Sequence, residues 1–226
     1  MRFSGRCMLP GLRDIGWISA PPEHLEPMLP LIVSPVLTNF RLGLNNIHPL
    51  NALQVIPVLE SLAPAYNSLV EVRVFQSVVQ NPRVIDAAST LLLKCNPEKL
   101  RYFHVDSVLS VEAFIHATQL PNLEHLFIRT NTTTPDIPLP TSTFPSLRSL
   151  EIKTPGVHSP LLQTLAHIQS TTFMSLELEF PVAATGTFLP TTLAGYYPAT
   201  SISKPVDHVG DGFTLQSGPM PVQTLR

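Results

Sequence analysis

Residues 123–128 read LEHLFI, and residues 147–152 read LRSLEI. Both follow one pattern, with apolar residues at the first, fourth and sixth positions and mostly polar residues at the other three. Alternation of this kind is typical of a strand that is buried on one face. Five further segments repeat the pattern: LRDIGW (12–17), LTNFRL (37–42), LVEVRV (69–74), LRYFHV (100–105) and FMSLEL (173–178). The sequence therefore predicts seven short strands of one kind.

Helix-like segments separate these strands, whose first residues lie 23 to 32 positions apart. Asn81 followed by Pro82, and Ser159 followed by Pro160, place a capping side chain and a proline where a helix begins. Ser110 precedes a third such segment and is also a capping residue. Since crossovers of this length join parallel strands, the seven strands are predicted to lie parallel.

The strand pattern and its period together are the signature of leucine-rich repeats. We therefore expect an α/β fold, a leucine-rich-repeat solenoid of about seven degenerate repeats over residues 1–180. Its parallel strands would line the concave face, and helices or irregular crossovers the convex face. Asn45 and Asn131 occupy the asparagine position of the consensus turn, and residues 131–143 are predicted to be an irregular loop. The Pro/Thr/Gly-rich tail, 181–226, is expected to be irregular or flexible.

Composition excludes several classes of protein. The chain has 226 residues, of which 44% are hydrophobic, and a net charge of -2, which predicts a packed core and no basic field for nucleic acid. No apolar run is long enough for a membrane span, and the N-terminus has no signal-peptide core. Two cysteines, Cys7 and Cys95, exclude a disulfide framework. We expect an intracellular protein, cytoplasmic or nuclear, with neither nucleic acid nor membrane as a partner.

Catalytic and metal-binding motifs are missing from the sequence. His104 and His125 lie diagonally on neighbouring predicted strands, but no third ligand accompanies them, so we interpret them as a solvated pair. Ser201 and Lys204 form an S-x-x-K without the context of a serine enzyme, and Cys95 is predicted to be a small buried residue. We predict no enzyme activity, no metal and no cofactor.

The second, third and fifth positions of the segments should line the exposed face of the sheet. This face is basic and aromatic at its centre and acidic at Glu151 and Glu177. We predict that a protein partner docks there, with Tyr102 and Phe127 as anchors and Arg73 and Arg101 as charged contacts. The alternative is that these are ordinary exposed sheet residues. The predicted partner-binding residues are Arg41, Arg73, Arg101, Tyr102, His104, His125 and Phe127.

The chain resembles the leucine-rich-repeat region of fungal F-box-type proteins over roughly residues 8–180. The likeness is carried by MLPGLRDIGW (8–17), PPEHLEPMLPLIVSPVLTNFRL (21–42), LPNLEHLFI (120–128), FPSLRSL (144–150) and LLQTLAHIQSTTFMSLEL (161–178). The resemblance implies a non-catalytic scaffold that recognises the substrate of a ubiquitin ligase. Family members usually carry an F-box that docks a Skp-type adaptor; we expect no F-box within this chain, so adaptor binding is not implied. The alternative is a truncated or vestigial repeat fragment with no independent partner.

Overall fold

The computed structural model describes residues 7–17, 25–43, 52–75, 81–130, 143–154, 168, 170–179, 200–203 and 212–217. In this part of the chain, nine strands form one sheet in the order β1-β2-β3-β4-β5-β6-β7-β9-β8. The strands are β1 (Asp14–Trp17), β2 (Asn39–Gly43), β3 (Glu71–Phe75), β4 (Tyr102–Val108), β5 (His125–Arg129), β6 (Ser149–Lys153), β7 (Ser175–Glu179), β8 (Thr200–Ser203) and β9 (Gly212–Ser217).

Strands β1 to β7 are parallel and lie side by side in chain order. Each begins at the third position of a predicted segment, so all seven sequence predictions are confirmed. The register pairs equivalent positions of neighbouring segments: Phe40 with Val72, for example, and Leu126 with Leu150. The fold is therefore α/β with a parallel sheet, as expected.

Four helices connect the strands: α1 (Leu25–Ile32), α2 (Ala52–Ser61), α3 (Pro82–Lys94) and α4 (Val111–Gln119), with a 3-10 helix at Ala63–Ala65. The predicted caps of α3 and α4 are present. The Asn81 side chain accepts a hydrogen bond from the Arg83 backbone N–H, and Ser110 Oγ accepts one from Ala113. These bonds satisfy donors that have no partner inside the first turn of a helix.

One apolar core lies between the helices and a single face of the sheet. Strand residues such as Phe40, Val72 and Leu150 share it with helix residues such as Leu29 and Leu91. Cys95 is also buried in this core, as predicted, and burial raises the pKa of its thiol to about 12. The helices contact one another in chain order, α1 with α2, α2 with α3, and α3 with α4.

A repeated backbone hydrogen bond leads into each strand from β2 to β7. Two successive N–H groups of one unit donate to a single carbonyl oxygen of the unit before. Thr38 and Asn39 thus donate to Arg13 at 2.8 and 3.0 Å, and Arg148 and Ser149 donate to Glu124 at the same two distances. The first apolar residue of each segment therefore lies in a turn, and the strand starts two residues later.

A second repeated contact joins the turns through side chains. Ser68 Oγ donates to the carbonyl oxygen of Pro35 at 2.7 Å, and Ser146 Oγ contacts that of Pro121 at 2.5 Å. Asn122 Nδ2 donates to Glu98 at 2.9 Å. In each case the donor stands just before a segment, and the acceptor stands two residues before the preceding segment. We call these three bonds the turn ladder.

The C-terminal tail departs from expectation. We expect irregular structure over 181–226, but its described residues form β8 and β9, which extend the sheet antiparallel from β7. For those residues the prediction is wrong. Phe213 and Leu215 alternate with Thr214 and Gln216, which is a strand pattern of period two, and the edge of β7 provides the backbone partners.

Some predicted features lie outside the described residues. They are the turn asparagines Asn45 and Asn131, the helix start at Ser159-Pro160, residues 131–142 of the irregular loop, and Lys204 of the S-x-x-K.

Candidate functional site

The side of the sheet opposite the helices carries the second, third and fifth residues of the seven segments. We call this surface the polar face. In the described part of the chain all four helices pack on the other side, so this face is open to solvent. All seven predicted partner-binding residues lie on it, and the structure brings them into contact groups that the sequence did not reveal.

The first group is centred on Glu71, the first residue of β3. Arg41 donates from Nε and Nη2 to the two carboxylate oxygens of Glu71, both at 2.6 Å, and Arg73 Nε lies 2.5 Å from Oε1. Burial, the largest single influence, raises the pKa of Glu71, but the hydrogen bonds and charges of the two arginines outweigh it, so the pKa is lowered. Glu71 is therefore a buried anion that holds two guanidinium groups in place.

The second group is a stack of Tyr102 and His125 on neighbouring strands. Their ring centroids are 4.4 Å apart and the rings are nearly parallel, at 10°. The guanidinium of Arg73 lies over the Tyr102 ring, 5.3 Å from its centroid, a cation–π distance. Arg73 thus joins the Glu71 group to the stack, and Tyr102 remains partly exposed, as an anchor requires.

The third group stacks His104 on Phe127, with centroids 4.1 Å apart. Phe127 is only 4% exposed, so the prediction that its ring is an accessible anchor is wrong. The cause is the register, which places the ring directly beside His104 and Glu151. The Phe127 ring is therefore a buried contact of His104 and is not available to a partner.

His104 is uncharged at neutral pH. Burial, together with the nearby charge of Arg73, lowers its pKa to about 4. Glu151 Oε2 lies 3.9 Å from His104 Nδ1, a separation too long to be a hydrogen bond. His104 therefore adds no positive charge to the aromatic centre of the face at neutral pH.

The fourth group repeats the first with other residues. Glu124 lies between Arg101 and Arg148, with Arg101 Nη1 at 3.1 Å and Arg148 Nε at 3.5 Å from its two oxygens. All three occupy the second position of consecutive segments. A column that reads Arg, Glu, Arg is the sequence signal that could have revealed this group.

His125 lies between the two arginine groups. Burial, the largest influence, lowers its pKa; Glu124 and Glu71 raise it, whereas Arg73 and Arg148 lower it. Both Arg–Glu–Arg clusters border the Tyr102–His125 stack, because Arg73 lies over Tyr102, and Arg101 and Glu124 directly precede Tyr102 and His125.

A further ion pair lies beyond the six-residue segments. Asp106 is nearly buried, and Arg129 Nε and Nη2 both lie 2.7 Å from its Oδ1. The pair occurs because β4 continues to Val108 through a shift in register after His104. The repeat pattern ends at the sixth position, so it contains no signal for this pair.

Within the described residues, no group of three or more His, Cys, Asp and Glu side chains could hold a metal ion. No helix of the described part is long and apolar enough to cross a membrane. His104 and His125 each stack on a different aromatic ring, and the His104 side chain is only 19% exposed, so the expectation of a solvated histidine pair is wrong for His104.

The fold and the face define an α/β protein whose parallel sheet is covered by helices on one side and exposes ordered arginine and aromatic side chains on the other. A scan against protein-family models and searches of curated proteins and of solved structures found no match to this chain. The polar face is therefore the feature of the chain from which a function can be proposed.

Proposed function

We propose that the chain is a non-catalytic leucine-rich-repeat solenoid that binds a protein partner on its polar face. We further propose that it acts as the substrate-recognition part of an F-box-type ubiquitin-ligase receptor. The observation that carries the binding proposal is the open polar face, on which arginine and aromatic side chains are held in place before any partner arrives.

Ordered side chains favour binding because little conformational entropy remains to be lost. Arg41 and Arg73 are held by Glu71, Arg101 and Arg148 by Glu124, and Tyr102 by its stack on His125. Arginine and tyrosine are also the residue types that most often dominate the binding energy of protein interfaces.

Two observations support the solenoid. The bifurcated backbone bonds repeat from unit to unit between neighbouring strands, and the turn ladder repeats with them. Contacts that recur only between adjacent units are what a stack of repeats requires. The concave and convex faces of the proposal correspond to the polar face and the helical side.

Affinity capture with matched variants tests protein binding. The tagged wild-type chain, a polar-face variant (Arg101→Gln with Tyr102→Ala) and a helical-side control (Arg83→Gln with Thr90→Ala) are compared by quantitative mass spectrometry. We expect at least one protein whose recovery falls fivefold or more with the polar-face variant and is unchanged with the control. Equal recovery with all three chains would contradict binding on this face.

The receptor role is tested on the protein so identified. Depletion of the chain should lengthen that protein's half-life and reduce its ubiquitination, and only chains with an intact polar face should restore both. A half-life that does not depend on the chain would leave a binding scaffold without a role in a ligase.

A further inference from the structure

The two Arg–Glu–Arg clusters have an uneven distribution of exposed charge. The glutamates are recessed, with side-chain exposures of 6% for Glu71 and 17% for Glu124. The arginines project, at 56% for Arg41, 38% for Arg73, 56% for Arg101 and 53% for Arg148. A partner that approaches the face therefore meets four guanidinium groups and almost none of the carboxylate that orients them.

Each cluster also carries a net charge of +1, because one carboxylate faces two guanidinium groups. A guanidinium has five N–H donors in a planar fork, more than the shared glutamate can engage from two arginines at once. The exposed donors match a carboxylate of a partner, which binds such a fork with short, charge-assisted hydrogen bonds. Three acidic residues of the face lie outside the two clusters: Asp14 on β1, whose charge acts on Arg41, Glu151 on β6, the strand that follows Arg148, and Glu177 on β7.

The separation of the clusters limits the partner further. Glu71 begins β3 and Glu124 directly precedes β5, so they are two strands apart, or about 10 Å at the usual strand spacing. About three residues of an extended peptide span that distance. The Tyr102–His125 stack borders both clusters, because Arg73 lies over the Tyr102 ring and Glu124 directly precedes His125. The stack offers a flat surface suited to an apolar or aromatic side chain.

We propose that the partner presents an acidic peptide segment, in which two carboxylate groups about 10 Å apart bind the two arginine clusters and an apolar or aromatic side chain between them packs on the Tyr102–His125 stack. The inference rests on the proposed protein-binding function and adds the chemistry of the partner. It assigns Arg148, which the sequence did not indicate, to the binding surface alongside Arg41, Arg73 and Arg101.

A display library of random, unphosphorylated 12-residue peptides tests the inference on the full chain at 150 mM NaCl. We expect enriched peptides to contain Asp or Glu about three residues apart with an apolar or aromatic residue between them. The best peptide is then synthesised with its acids and with the matching amides, and its affinity for the wild-type chain is measured by calorimetry. The amide peptide should bind at least tenfold more weakly, and this comparison needs no variant of the protein.

Variants of the chain locate the site. Neutral clusters, Arg41→Gln/Glu71→Gln/Arg73→Gln and Arg101→Gln/Glu124→Gln/Arg148→Gln, leave no unpaired glutamate behind, and each should weaken the acidic peptide tenfold or more. Arg83→Gln, which changes an exposed residue of helix α3 on the opposite side of the sheet, is the matched control and should leave the affinity unchanged. Because binding is electrostatic, the wild-type affinity should also fall as NaCl is raised from 50 to 300 mM.

The outcomes separate the two proposals. Enriched peptides that lack acids but lose affinity with Tyr102→Ala would overturn the acidic-partner inference and leave protein binding on the polar face standing. Acidic peptides that bind both neutral-cluster variants as well as the wild type would overturn the assignment of the arginines. Peptides that bind regardless of every polar-face variant, or no enrichment at all, would overturn the acidic-peptide inference, whereas protein binding on the polar face is decided by the affinity capture.

Discussion

Among single residues, the main feature of the polar face is a recessed glutamate that orients two exposed arginines. Glu71 and Glu124 perform this role at different positions of the repeat, one at the start of a strand and one just before it. This arrangement holds the guanidinium groups in place while leaving them exposed to a partner. It also ties local stability to the charge of a single carboxyl group.

The substitution Glu71→Gln tests whether local stability depends on the charge of this carboxyl group. At pH 7 it should lower the free energy of unfolding by about 1–2 kcal/mol, since Arg41 and Arg73 then face each other without a shared anion and both are partly solvent-screened. The pKa of Glu71 is lowered in the folded chain, so its contribution is complete above the unfolded value of 4.5 and is lost as pH falls through the folded pKa.

Urea denaturation at pH 7 and below pH 4 measures the difference between wild type and variant, which should shrink at the lower pH. Glu177→Gln, an exposed glutamate on β7, serves as the control and should change the free energy of unfolding little at either pH. A Glu71→Gln effect of equal size at both pH values would contradict the role of the carboxylate charge.

Phe127 provides the second test at this scale. Its ring is buried although it lies on the polar face, so Phe127→Ala should cost about 3 kcal/mol through lost burial and the cavity left beneath His104. Tyr102→Ala, on the neighbouring strand and partly exposed, should cost less than about 1.5 kcal/mol. Chemical denaturation of both variants measures the contrast, and equal costs would mean that the Phe127 ring is not buried.

At the scale of elements, the repeat is held together at its turns as well as in its core. The turn ladder uses a serine or asparagine just before a segment, in the position that follows a proline or other turn residue. The prolines at 35 and 121 cannot donate a backbone hydrogen bond, but their carbonyl oxygens are free to accept. Proline is therefore compatible with the acceptor position of the ladder, as is Glu98.

Alanine at a ladder position should therefore destabilise the chain. Ser68→Ala and Ser146→Ala should each lower the free energy of unfolding by about 1 kcal/mol, because a carbonyl oxygen loses its partner. The double variant should cost the sum, since the two turns are well separated. Thermal unfolding of the three variants checks this, with Thr90→Ala on exposed α3 as the control. Stability as high as that of the control would show that water replaces these bonds without cost.

In the molecule as a whole, the contacts between strands β1 to β7 join units that are neighbours in the chain. Each of β2 to β6 pairs only with the strands before and after it in the chain. In a solenoid, stability is the sum of such neighbouring terms, so one unit can be removed while the rest still folds.

Deletion of residues 100–122 removes one complete unit, comprising β4 and α4, and places Leu123 after Lys99, where Leu100 stood. We expect this chain to fold, with helix and strand signals per residue in circular dichroism close to wild type and a lower unfolding midpoint.

Deletion of residues 111–123 is the contrasting case, because it keeps both strands but leaves no crossover long enough to hold β4 and β5 parallel. That chain should lose cooperative unfolding. If removal of the complete unit were the more damaging of the two, the solenoid proposal would fail.

The local sequence pattern was sufficient to predict the seven strands, because three apolar positions recur in each segment and burial on one face demands alternation. The length of the crossovers predicted their parallel order, and Asn81 and Ser110 predicted the caps of α3 and α4. The arginine, tyrosine and histidine residues of the polar face could be assigned to it for the same reason.

Which of these side chains meet depends on the tertiary structure. Arg41 reaches Glu71, and Arg101 and Arg148 reach Glu124, from other units, 23 to 30 residues away in the chain, while Arg73 comes from the same strand as Glu71. Alternation within one segment does not specify contacts between side chains of different units. The burial of Phe127 depends on the ring of His104 on the next strand, and the strands of the tail depend on the open edge of β7. Local alternation decides which face a residue occupies, whereas charge pairing and burial depend on the register between strands.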